Sequence, residues 1–222
     1  MKIARLVGLT LVAVMALSLA VASAAFAEPL FLPVGATFKG TSGPGTLENI
    51  SGERITCAAD TSTGEITTPH LVGGITVDFT GCKSVNTKKS EECTAKSPGA
   101  PAGLLLTKTL HGVLGLILPK GTGTGVGLLL LPVENKKFVE IEENACAVAA
   151  TVTGNLVGEV TPVGVHTTKG TLIFQGSGGV PSIKDFDLSL GGLVIPKIEV
   201  FGKESSETTT ETITWSAAVE VS

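Results

Sequence analysis

The residues able to do chemistry in this sequence are few and scattered. Ser177, within Gln175-Gly176-Ser177-Gly178-Gly179, is the best-placed nucleophile, and His111 is the histidine that would serve as its base. Nucleophilic catalysis needs base and nucleophile within hydrogen-bond reach and a third group that orients the base. No such trio is marked, and glycines on both sides of Ser177 are what a turn uses. His70, His111 and His166 stand apart, and none shares a metal-ligand spacing with another histidine or a carboxylate. Carboxylates come in two period-two pairs, Glu140 with Glu142 and Asp185 with Asp187. On a strand face each pair would lie about 6.5–7 Å apart, a separation that suits acid/base carboxylates or an oxygen-rich calcium shell. Each pair also falls opposite an apolar row, where a solvent face is expected. Asp185 and Asp187 are the calcium candidates. No catalytic residue and no cofactor is assigned.

Binding chemistry is equally sparse. A sugar stacks on exposed aromatic rings, and this chain has no Tyr and one Trp, Trp215, inside an apolar row. Gly121 to Gly127 lacks the Gly-Lys-Ser/Thr of a phosphate-cradling loop and joins two apolar runs rather than opening a helix. Of 222 residues only 16% are charged, and the formal net charge is −4. A nucleic-acid partner requires a basic stripe, and beyond Arg5 the chain has a single arginine, Arg54.

Compartment is more legible. Lys2 and Arg5 precede an apolar stretch from Leu6 to Ala22, and Ala25-Phe26-Ala27 offers small residues at both cleavage-pocket positions. Residues 1–27 therefore read as a helical signal peptide cut before Glu28, and residues 28–222 as a single β domain, secreted or attached to the cell envelope. No apolar run after the leader reaches the ~20 residues of a membrane-spanning helix. Cys57, Cys82, Cys93 and Cys146 are an even set with no C-x-x-C pair, as expected for two disulfides in an oxidising space. Three pairings are possible. Cys57–Cys82 with Cys93–Cys146 is preferred because the first pair brackets a strand–turn–strand unit.

The elements that must carry these side chains are strands. Ile213, Trp215, Ala217, Val219 and Val221 alternate with polar or small residues, as do Ile75, Val77 and Phe79, Phe186, Leu188 and Leu190, and Val139 and Ile141. Turn signals separate them, including Ser42-Gly43-Pro44-Gly45, Thr63-Gly64 and Gly176 to Gly179. The pattern predicts an all-β sandwich or barrel. Gly103 to Val133 is Leu- and Gly-rich in continuous runs, which reads as a hairpin covered on both faces; the alternative is an insertion element. Lys83 to Ser97 and Gly202 to Glu211 are polar and read as exposed loops.

Three stretches carry a resemblance: the Cys57 strand followed by Gly64-Glu65-Ile66-Thr67, Val77-Asp78-Phe79-Thr80-Gly81-Cys82, and Val152 to Pro162. They resemble a group of secreted, β-rich, disulfide-containing proteins of soil actinobacteria that has no assigned activity. The likeness spans about residues 50 to 175. It implies export and a β fold, and it transfers no catalytic residue.

The composite expectation is a non-enzymatic protein acting by surface contact with a protein or cell-wall partner. The alternatives are a small-ligand or carbohydrate-binding module and a secreted hydrolase. Fractionation of native culture with intact-mass measurement, before and after thiol alkylation, checks the compartment. A mature chain beginning at Glu28 with four unavailable thiols is expected; a full-length mass or alkylated cysteines would contradict export.

Overall fold

The computed structural model describes residues 28–86, 91–118, 125–143, 149–188 and 191–222. The leader, Cys146, Leu190 and the Gly121–Thr124 part of the glycine-rich turn lie outside them. Every regular element described is a strand. In chain order they are β1 (Phe31–Leu32), β2 (Thr37–Ser42), β3 (Gly45–Asn49), β4 (Glu53–Cys57), β5 (Ala59–Thr68), β6 (Leu71–Thr80), β7 (Lys83–Asn86) and β8 (Glu91–Lys96). Then come β9 (Leu105–Leu106), β10 (Leu110–Ile117), β11 (Gly125–Pro132), β12 (Lys137–Glu143), β13 (Ala149–Gly154), β14 (Leu156–Thr161) and β15 (Thr167–Phe174). The last are β16 (Gly176–Ser177), β17 (Val180–Pro181), β18 (Phe186–Leu188), β19 (Gly192–Val194), β20 (Ile198–Val200) and β21 (Lys203–Val221).

Antiparallel pairing closes a barrel in the order β2-β5-β6-β10-β11-β14-β15-β21 and back to β2. Of the two architectures expected, the chain adopts the barrel. A second ring closes in the order β3-β4-β7-β8-β12-β13-β20-β21 and back to β3. The strands of one ring run on into the other: β4 passes into β5 across Ala58, and β13 into β14 across Asn155. Gly154 makes the second of these kinks possible. Its φ of +107° is open to glycine, and a Cβ there would collide with the Lys197 carbonyl. The 19 residues of β21 serve both rings, Lys203–Thr208 in one and Thr209 onward in the other. At the same level Cys57 and Cys82 are bonded, S–S 2.09 Å, bracketing the β5–β6 hairpin as expected. Cys93 is also disulfide-bonded, while its expected partner Cys146 lies outside the described residues.

The Leu- and Gly-rich middle is core. β10 and β11 pair over their full lengths, and Val126 to Leu130 are all buried. Leu128 and Leu130 point into the barrel; Leu129 points outward, into a second cluster with Val157 and Phe186. The covering element is the β18–β19 hairpin. Its Phe186, fully buried, lies against the bare backbone of Gly115 and Gly127, a cross-strand pair, where an added Cβ would meet the ring at 2.7 and 2.8 Å. The glycines in this run are thus the floor of an aromatic socket.

Three expectations change. Lys83–Ser97 is not a loop: β7 and β8 pair through Lys83↔Thr94 and Ser84↔Cys93. Its charges, such as the Lys83–Glu92 pair at 2.6 Å, lie outside, while Cys93 and Ala95 alternate inward and are buried. Thr63-Gly64 is strand interior, and Gly64 leaves room for the Phe38 ring; the turn falls at Pro69-His70. Of Gly202–Glu211, all but the turn residue Gly202 is also strand, the first half of β21.

Candidate functional site

Alternation along β21 does not stop where the residues become polar. Glu207, Thr209, Glu211, Ile213 and Trp215 continue one inward row, and Thr208, Thr210, Thr212 and Thr214 are exposed between them. Ala217, expected in the same row, is exposed instead, because β21 bulges against β15 between Thr214 and Val219. On the neighbouring strands the inward residues are Phe38, Gly40 and Ser42 of β2, and Asp60, Ser62 and Ile66 of β5. Register brings Asp60, Ser42 and Glu211 side by side across three strands. The Ser42 hydroxyl donates to Asp60 Oδ2, and the Ser62 hydroxyl donates to Glu211 Oε1. Gly40 makes the second bond possible: a Cβ there would overlap both Glu211 Oε1 and Ser62 Oγ.

These groups line a cavity of about 90 Å³ where the two rings meet, with Leu47, Ile55, Phe138 and Ile198 of the second ring also on its lining. One wall carries Ser42, Asp60, Glu207, Thr209 and Glu211. The opposite lining is apolar, with Phe79, Leu110, Leu130, Phe138, Leu156 and Phe174. A smaller cavity of about 50 Å³ shares Val77, Leu130 and Glu211 with it and extends past Trp215 to Thr167 and Lys169. Trp215 is half-buried there, its ring 5.9 Å from Phe31 and 5.5 Å from Phe38. Two buried polar atoms of residues on this lining, Asp60 Oδ1 and Thr209 Oγ1, have no hydrogen-bond partner among the described residues.

Such an environment disfavours charge. Burial pushes the Glu207 carboxyl up to about 8, helped by the nearby Asp60 and Glu211. Burial likewise raises Glu211 to about 7, against the lowering hydrogen bond from Ser62. Asp60 is raised by burial, opposed by its bond from Ser42. Glu207 retains some accessible surface because it faces the void, yet the barrel wall encloses it.

The side chains singled out from spacing lie elsewhere. Ser177 is exposed in the two-stranded β16–β17 ribbon, and His111 sits on β10 opposite Leu131. No hydrogen bond joins them among the described residues. His70 lies at the Pro69-His70 turn, its Nδ1 2.9 Å from the Pro29 carbonyl, and His166 is in the loop before β15. Glu140 is outside the barrel between Lys137 and Lys108, at 2.7 and 2.9 Å, whose hydrogen bonds lower it to about 2; Glu142 pairs with Lys96 at 3.6 Å. Asp187 sits on β18 and Asp185 just before it. Among the described residues no three His, Cys, Asp or Glu side chains come together as a metal site requires. Sequence reasoning missed Asp60, Glu207 and Glu211. The available signal was the period-two row running upstream from Trp215 through Glu211 to Glu207.

Comparison with protein-family models, curated proteins and solved structures finds no match to this chain.

The raised carboxyls carry a stability consequence. Their folded pKa values exceed the ordinary 4.5, so between pH 4.5 and 8 the folded chain holds protons that the unfolded chain has released. Stability then falls as pH rises through that window. Glu140 acts in the opposite sense, but below pH 4.5. Denaturant unfolding should show the chain more stable at pH 5 than at pH 8.5, by on the order of a few kcal/mol. The Glu207→Gln/Glu211→Gln pair should flatten most of that slope; equal stability at both pH values in the unsubstituted chain would refute the assignment.

Proposed function

We propose that this chain is an exported binding protein that holds a small, largely apolar molecule inside its barrel. The observation that carries the reading is the cavity of about 90 Å³, apolar on one side, with unpartnered Asp60 Oδ1 and Thr209 Oγ1 on the other. A closed eight-stranded barrel has an interior that side chains can fill or that holds one small ligand. A void with a few convergent polar groups is the usual form of a ligand site. Export is supported by the leader reading of residues 1–27 and by the Cys57–Cys82 bond, which suits an oxidising compartment. A second reading, contact through the outer surface, has its support in Leu32, Val34, Val163 and Val165, each 45–50% exposed. Strand β1 and the loop after β14 flank the end of β21, Leu32 lying opposite Glu220 and Gly164 N donating to the Val221 carbonyl at 2.7 Å. Culture fractionation separates the two, since retention of the mature chain with the wall would favour surface contact.

Titration of the disulfide-bonded chain with six-carbon amphiphiles, followed by Trp215 fluorescence and melting temperature, tests the interior site. At least one amphiphile should bind saturably at one per chain, and at about 100 times its Kd it should add ~2.7 kcal/mol of stability. Gly40→Val, which would crowd Glu211 and Ser62, should weaken that binding. No saturable binding across the series would overturn the reading.

A further inference from the structure

The cavity's polar wall is chemically one-sided. Among the described residues its titratable groups are Asp60 from β5 and Glu207 and Glu211 from β21, all acids, with no Lys, Arg or His beside them in the lining. Lys169 lines the smaller, neighbouring cavity and is solvent-exposed. The unpartnered atoms point the same way. Asp60 is 5% exposed and Thr209 7%, and both the Asp60 Oδ1 and the Thr209 Oγ1 can accept a hydrogen bond where no donor arrives. A carboxylate only accepts. An occupant that brings N–H donors satisfies both of these acceptors, and a positive charge beside three acids favours their ionised, accepting form. A bare metal ion is a poor candidate, because no three ligating side chains converge among the described residues.

Resting on the ligand-binding reading above, we propose that the cavity takes a small primary amine in its protonated form. Its ammonium sits against Asp60, Thr209 and Glu211, and its hydrocarbon against Phe79, Leu110, Leu130 and Phe138. An ammonium supplies three donors and no acceptor, which matches a wall with acceptors to spare. Amine binding also resolves the electrostatics of the empty barrel. A carboxyl that holds a proton at neutral pH releases it to solvent as the ammonium takes its place, so the positive charge enters as a proton leaves. A carboxylate ligand fits the acidic wall least well, because its charge would lie beside Asp60, Glu207 and Glu211 and oppose their ionisation.

Isothermal titration of the disulfide-bonded chain at pH 7 with n-hexylamine, 1-hexanol and hexanoate, each in two buffers of different ionisation enthalpy, tests this. Hexylamine should bind at least tenfold more tightly than hexanol, hexanoate should bind weakest, and amine binding should release protons. Asp60→Asn should cost hexylamine about tenfold while leaving hexanol within twofold, and Thr209→Val, which keeps the side-chain shape, should repeat the direction. If hexanol binds as tightly as hexylamine, the barrel still binds small molecules and the amine assignment falls. If none of the three binds, both fall together.

Discussion

Register along β21 is the constraint on which the molecule depends. This strand hydrogen-bonds to β1, β2, β3, β15 and β20, and it closes both rings. Because side chains alternate with a period of two, the register that places Ile213 in the core also places Glu211, Thr209 and Glu207 inside. A one-residue slip would bury Thr208, Thr210, Thr212 and Thr214 and send Ile213 to solvent. The apolar lower half of the strand holds the acidic upper half in the barrel.

Neighbouring strands are shaped around that imposed polarity. Ser42 and Ser62 donate to two of the three carboxyls, and Gly40 is the gap through which one of those bonds runs. Glu207 lies opposite Leu47, whose side chain offers no hydrogen bond, and burial pushes it higher than Glu211. Leaving such a carboxyl ionised in low dielectric is costly, so it keeps its proton. The rest of the structure offsets the remainder with a double-faced β10–β11 hairpin, the Phe186 socket, and the Cys57–Cys82 bond. By loop-closure estimates a disulfide around a loop of this length adds roughly 3–4 kcal/mol.

Much of the fold was legible in the residues. Alternation of Val139 and Ile141, of Ile75 and Val77, and of Ile213 with its neighbours follows from one buried face per strand, and the structure has those strands. The continuous apolar runs of Gly103 to Val133 read as covered on both faces; Val126 to Leu130 are buried, and Phe186 covers Leu129 on the outer side. Legibility failed wherever an inward row was polar or small. Cys93 and Ala95 alternate as faithfully as any apolar pair, but the lysines and glutamates between them masked the strand. The same happened at Glu207 to Glu211, whose inward carboxyls look like solvent-facing ones until closure of the barrel fixes the side they occupy. Carboxyl pairs that looked chemical, Glu140 with Glu142, are ordinary surface acids held by lysines.

The account stands on Glu207 and Glu211 being enclosed and holding their protons well above the ordinary carboxylate range. Carboxyl-carbon NMR titration of the disulfide-bonded chain, with each glutamate assigned by its Gln substitution, measures that directly. As a coupled pair they should titrate with apparent midpoints near 7 and 8. Midpoints near the ordinary 4.5 for both would mean that bulk water reaches the wall, and would contradict a barrel built around a desolvated acidic face.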